Sequence, residues 1–200
     1  QVSGLIVREH CDRPSHTGAD ETLHEFLKSQ NIPGISGVVT RAITRRLRNR
    51  GVMSGIITTE SPESALESLA EATRYDDVDF VRTVTTDQDY SWDEPALEPG
   101  APGYRILVTD CGLKYNILRL LRQRGCEVTA VPATMPAEEM LAMKPDGILL
   151  SPGPGDPQLL DYLVSNVQKL VGRVPMMGIC LGHQILARAM GAQTFKLKFG

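Results

Sequence analysis

The sequence predicts an α/β protein whose second half is a doubly wound, mostly parallel sheet. From Tyr104 onward, segments with strand character alternate with segments of helical periodicity without a break. The strand segments, such as "YRILVTD" and "GILL", are near-continuous apolar runs, the pattern of strands covered on both faces by crossover helices. Two of them end in glycine-rich turns, "SPGPGDP" and "GICLG", at the carboxyl ends where open α/β sheets bind ligands. With 42% hydrophobic and 22% charged residues among 200, the chain can form one large core or two modest ones and has no signature of disorder.

The first 86 residues read as one domain. "GLIVRE" is a strand; "ADETLHEFLKSQ" is a helix with Asp20 as N-cap and Leu23, Phe26 and Leu27 on one face. Next come the strand "GISGVV", the helix "TRAITRRLRNRG" closed by Gly51, the strand "VMSGIIT", and a helix opening at Ser61-Pro62. Residues 87–103 are acidic, hold three prolines and two glycines, and lack periodicity, which is a linker signal. Residues 104–200 form the second domain. Its strands are "YRILVTD", "CEVTAVP", "GILLSPG", "VPMMGIC" and "AQTFKLK", and its helices "KYNILRLLRQRG", "PAEEMLAM", "PQLLDYLVSNVQKLV" and "LGHQILARAMG".

Cys180 sits between Gly178 and Gly182 where a strand turns into a helix. A nucleophile on such an elbow is held in a strained backbone, and flanking residues without bulk let strand and helix approach. The N-terminus of the helix after it favours negative charge and offers free N–H groups to an oxyanion. The plainer alternative is a small buried cysteine packed between glycines. For "SPGPGDP" the alternatives are a surface turn, a phosphate cradle, and a loop whose Gly153 and Gly155 turn N–H groups towards a reacting carbonyl. The GK[ST] ending of a P-loop is absent, and only the third reading uses both loops.

These residues resemble a known family. "GICLGHQ" with an upstream "SPGPGDP" is similar to the triad, class I glutamine amidotransferase domain. "VTDCGLKYNILRLL" is similar more narrowly to the glutaminase subunits of carbamoyl-phosphate synthetases. "LHEFLKSQNIPGISGVVTRAITRRLRNRGVMSGII" resembles part of the N-terminal domain found in those subunits and not in other amidotransferases. The resemblance implies a partial N-terminal small-subunit domain followed by a truncated amidotransferase domain, an interior segment of a longer chain. It implies that Cys180 attacks the glutamine side-chain amide through a glutamyl thioester, with the N–H groups of Leu181 and Gly153 as oxyanion hole. Gly153, Gly155, Leu181 and Gln184 match positions that contact L-glutamine. The family's catalytic His and Glu lie beyond residue 200. The implied partner is the synthetase large subunit, which holds ATP and magnesium and makes carbamoyl phosphate for arginine and pyrimidine synthesis; no cofactor or metal is expected on this chain. The rival readings are a glutaminase of another pathway and a non-catalytic subunit that keeps only the fold. A bulky side chain at Gly153 is expected to disturb the oxyanion donors at little cost to the fold.

The rest of the sequence argues against other functions. His183, three residues after Cys180 on a helix leading away, reads as a packing or hydrogen-bonding residue rather than the base. His10, Cys11, His16 and His24 follow no zinc spacing. Five of the residues 41–50 are arginine, but without interleaved aromatics and with a net charge of −3 they make no nucleic-acid site; Ile43 and Leu47 are expected to face inward. No apolar run approaches the roughly 18 residues of a membrane span. Four cysteines without a CxxC pair fit a reducing compartment, the cytoplasm by default.

Overall fold

The computed structural model describes residues 2–197. They divide into two compact units, one up to Thr73 with Lys196 and Leu197, the other Arg74–Phe195. The break falls before the expected boundary at residues 87–103, and that stretch is not all linker, because residues 90–92 pair into a sheet.

In the first unit, β1 (Leu5–Ile6) pairs in parallel with β2 (Gly34–Ile35). Helix α1 (Leu23–Ser29) begins at Thr22 rather than Asp20. The Thr22 hydroxyl accepts from the Glu25 N–H at 3.2 Å while the Glu25 carboxylate accepts from the Thr22 N–H at 2.8 Å, a capping box that satisfies two otherwise orphaned donors. These bonds hold the Glu25 carboxyl below its usual range. Helix α2 (Thr40–Arg50) follows, and α3 (Pro62–Glu71) starts with Ser61 as cap and Pro62 in its first turn. Residues 52–58 form no strand. Among the described residues of this unit only Ala65 is buried, and α2 buries nothing: Ile43 and Leu47, expected inside, are 37% and 40% exposed. The apolar stripe is present, but it is not buried.

The second unit opens with a 3-10 turn, Tyr75–Asp77, and α4 (Phe80–Val84). Its sheet has the order β3-β5-β4-β6-β7. The strands are β3 (Tyr90–Trp92), β4 (Arg105–Asp110), β5 (Glu127–Pro132), β6 (Gly147–Leu150) and β7 (Met176–Gly178). All pair in parallel except β3, which runs antiparallel along β5. The interleaved helices are α5 (Tyr115–Gln123), α6 (Ala137–Ala142), α7 (Asp161–Leu170) and α8 (Leu181–Ala189). The expected helix from residue 157 is a 3-10 turn, Pro157–Leu159, before α7. Residues 192–197 of the expected strand "AQTFKLK" form none, and Lys198 lies outside the described residues.

Successive residues of each strand point to opposite faces, so a strand buried on both sides must be apolar throughout. Val108 and Leu149 face α5, joining Leu118 and Val128. Their neighbours Leu107, Ile148 and Leu150 face the other way and pack with Met140, Leu163, Val167, Leu181 and Ile185 from α6, α7 and α8. Burying each such side chain contributes about 1.5–3 kcal/mol. The chain runs outward to β5 on one side of β4 and to β6 on the other, so the strand order reverses beside β4. Such a switch point opens a crevice at the carboxyl ends of the strands.

Arg122 of α5 is 8% exposed and donates to three carbonyls, those of Asp93 (3.1 Å), Pro95 (3.2 Å) and Cys126 (3.3 Å). It ties the segment after β3 to the sheet. Arg122→Leu keeps much of the bulk and orphans these acceptors, and should lower the stability of the full-length chain by about 1–3 kcal/mol in denaturant unfolding.

Candidate active site at the strand ends

Three loops meet at the carboxyl ends of β4, β6 and β7, and each is held by its own set of backbone contacts. After β4, Asp110 is 7% exposed and works as a backbone clamp. Its Oδ1 accepts from the N–H of Gly112 (2.9 Å) and of Leu113 (2.8 Å), and its Oδ2 from that of Thr86 (3.1 Å). After β6, the buried Ser151 hydroxyl accepts from the Cys111 N–H at 2.9 Å and donates to the Pro152 carbonyl at 2.8 Å, tying the second loop to the first.

The loops touch backbone to backbone. A Cβ on Gly112 (φ +128°) would lie 2.8 Å from the Pro154 ring and 3.1 Å from the Gly153 Cα. A Cβ on Gly153 would overlap the Cys111 carbonyl and lie 2.8 Å from the Leu181 side chain. The expectation that a bulky residue at Gly153 would spare the fold is therefore corrected: space at this position is taken by main chain, which cannot rotate away.

After β7 the chain turns directly into α8 at Cys180. Its φ of 52° and ψ of −112° lie outside the ordinary left-handed well. A non-glycine residue held there costs about 1–3 kcal/mol and persists only where its surroundings over-determine it. The flanking glycines supply that constraint. A Cβ on Gly178 would sit 2.5 Å from the Gly182 carbonyl group, and one on Gly182 would overlap the Leu150 carbonyl. The first turn of α8 thus lies on the ends of β6 and β7.

Of the four cysteines, all free, Cys180 and Cys11 are exposed. Cys111 is buried, and burial reinforced by the neighbouring Asp110 carboxylate pushes its thiol up to about 12. Burial also raises the thiol of Cys126, against a smaller opposing effect of Arg124. Gly153 and Leu181 come together across the elbow, and none of the described hydrogen bonds uses the N–H of either. Gly155 (φ +94°) lies in the same loop, but its N–H donates to the Tyr75 hydroxyl at 3.1 Å. Gln184 is exposed one turn into α8, as is His183. Among the described residues no group of three His, Cys, Asp or Glu side chains could hold a metal. Among them, too, no helix is long and apolar enough to cross a membrane.

Sequence alone gives no role to Asp110, Ser151 or Tyr75. Asp110 had a local signal, an Asp at a strand end two residues before a glycine, which is where Asx turns form. Ser151 and Tyr75 act on residues 40 and 80 positions away, with no local signature.

Residues 107–200 match the family model for class-I glutamine amidotransferase, and residues 1–57 that for the carbamoyl-phosphate synthase small chain, CPSase domain. A carbamoyl phosphate synthase small chain from Syntrophotalea carbinolica is 44% identical over 209 residues, covering 100% of this chain and 56% of that protein. The chain belongs to the carbamoyl phosphate synthase small-chain family. The Akkermansia muciniphila small chain is 46% identical over 205 residues, again across 100% of this chain and 55% of that protein. A chloroplastic small chain from Oryza sativa subsp. japonica is 42% identical over 208 residues, with 100% and 47% covered. The chain thus spans about half the length of the curated small chains it matches. Cys180 and the 151–157 loop fall inside the amidotransferase match, whereas Tyr75 and α4 lie between the two matches.

Two outcomes test this geometry in the full-length small chain. Gly153→Val should destabilise the fold by about 1–3 kcal/mol, as overpacking against fixed backbone does, and thermal melting will measure it. Because the thiolate is the reactive form and Cys111 stays protonated until the pH approaches 12, native protein at pH 8 should alkylate at Cys180 and Cys11 but not at Cys111. Peptide mapping after brief iodoacetamide treatment reads this; labelling of Cys111 at the rate of Cys180 would contradict it.

Proposed function

We propose that this chain is the glutaminase part of a glutamine-hydrolysing carbamoyl phosphate synthase. The observation that carries the reading is Cys180, exposed in a strained elbow at a helix N-terminus, with the Gly153 loop packed against Leu181. The family membership, through relatives named carbamoyl phosphate synthase small chain, supports the same reading.

In this mechanism the Cys180 sulfur attacks the side-chain amide carbon of L-glutamine. The oxygen of the tetrahedral adduct takes hydrogen bonds from the N–H groups of Leu181 and Gly153, each such donor being worth about 3 kcal/mol in the transition state. The adduct collapses to a glutamyl thioester as the C–N bond breaks, and ammonia leaves with the proton given up by the thiol. Water then cleaves the thioester to glutamate and restores the thiol. Gly155 and Gln184 help to hold the glutamine. The base that moves these protons is the His, oriented by a Glu, that the family resemblance puts beyond residue 200.

Ammonia passes to a large synthetase subunit, which uses ATP and magnesium to build carbamoyl phosphate. Nucleic acid and membrane have no place in this scheme. A reducing compartment suits four free thiols, one of them a nucleophile.

The division of labour gives a direct test. In the complex of full-length subunits, Cys180→Ser should abolish glutamine-dependent carbamoyl phosphate synthesis while leaving synthesis from free ammonia within about twofold of wild type. Equal loss with both nitrogen sources would reject the assignment.

A further inference from the structure

The segment from Tyr75 to Thr86 lies outside both family matches, yet it reaches two of the three loops of the candidate site. Tyr75 Oη accepts from the Gly155 N–H at 3.1 Å. The Tyr75 and Phe80 rings lie 5.1 Å apart, and the Phe80 ring is the nearest neighbour of Gly155, 3.5 Å from where its Cβ would stand. Val84 packs at 3.5 Å from the corresponding point on Gly112, and the Thr86 N–H donates to Asp110 Oδ2 at 3.1 Å. Thr85 Oγ1 accepts from the Ala133 N–H at 2.9 Å, beyond the end of β5.

The segment is itself firmly placed. Asp79 caps α4 by accepting from the Arg82 N–H at 3.2 Å, and its carboxylate pairs with the Arg82 guanidinium at 3.2 Å. Val81 is fully buried, in the same cluster as Cys111 and Leu181. A short helix anchored in the core, together with the 3-10 turn before it, therefore presents one aromatic pair to the loop that carries Gly153 and Gly155.

We propose that Tyr75–Thr86 is a clamp that sets the geometry of the glutamine-binding loop, with Tyr75 as the positioning residue that holds Gly155 through its hydroxyl. The inference rests on the glutaminase reading. Gly155 needs such a support because it lies in the irregular stretch between β6 and the 3-10 turn at Pro157, where a glycine is free to leave its φ of +94°. A loop free to leave that conformation would spend part of its time unable to bind, and apparent affinity falls by the fraction that is competent. Tyr75 touches no reacting atom, so its effect belongs in substrate binding rather than in the chemical step. The first stretch of the first unit ends at Thr73, so the clamp begins where the chain enters the second unit.

The experiment is steady-state glutamine hydrolysis by the complex of full-length subunits carrying Tyr75→Phe, which keeps the ring and removes the hydroxyl. One net hydrogen bond predicts a rise in KM for glutamine of about fivefold, with kcat within about twofold, ammonia-dependent synthesis unchanged and the melting temperature within about 4 °C of wild type. Phe80→Leu, which thins the packing under Gly155 and leaves the hydroxyl, should raise KM in the same direction, and it decides the matter if Tyr75→Phe proves unstable. An unchanged or lowered KM in the folded variants overturns the clamp, as does a fall confined to kcat. Failure of the wild-type complex to hydrolyse glutamine, or full glutamine-dependent activity in Cys180→Ser, would instead overturn the glutaminase reading beneath it.

Discussion

The site depends on main chain approaching main chain at the carboxyl ends of β4, β6 and β7. Four glycines, at 112, 153, 178 and 182, sit where any Cβ would meet backbone or a ring at 3 Å or less. A side chain in the way can rotate, but a carbonyl that belongs to a strand cannot move without moving the sheet. Remove that closeness and the three loops separate. The elbow at Cys180 then loses the packing that keeps it in a conformation it would otherwise leave.

Polar side chains hold the loops in register. Asp110 gathers three N–H groups from two segments, and Ser151 links the first loop to the second. Both are almost fully buried, and buried polar atoms with all their partners in place rigidify a structure, whereas partial satisfaction would destabilise it. At the far end of the same loop, Arg188 of α8 donates to the Pro157 carbonyl at 2.6 Å and to Asp161 at 2.8 Å. The 151–157 loop is thus tied at its start to the end of β4, in its middle to Tyr75 and at its end to α8. Such multiple attachment limits how far the loop can reorganise.

The two units differ in how they are stabilised. The second has apolar clusters on both faces of its sheet, while the first, among the described residues, buries a single alanine beside its helix caps and one short strand pair. The arginine-rich α2 shows the consequence: it has the periodicity of a packed helix, yet its stripe of Ile43 and Leu47 stays exposed. Hydrophobic periodicity states which face a helix can bury, not whether a partner stands there.

Sequence alone determined the alternation of strands and helices after Tyr104, because parallel strands need apolar residues on both faces and that demand is local to each strand. It also determined the elbow at Cys180 and the glycine loop at residues 151–157, since a tight turn writes its glycines next to the residue it exposes. Helix starts were legible to within a few residues, as with α1, where Thr22 rather than Asp20 makes the cap because it alone has Glu25 three positions on. Tertiary structure decided the rest. The linker-like stretch after residue 86 holds β3, a strand only because β5 offers it an edge. The segment 52–58 has strand composition but pairs with no strand among the described residues, and stays irregular. The roles of Tyr75, Asp110, Ser151 and the crowding at Gly153 come from contacts between residues far apart in the chain. No local pattern encodes such contacts, because they exist only once the sheet has brought the strand ends together.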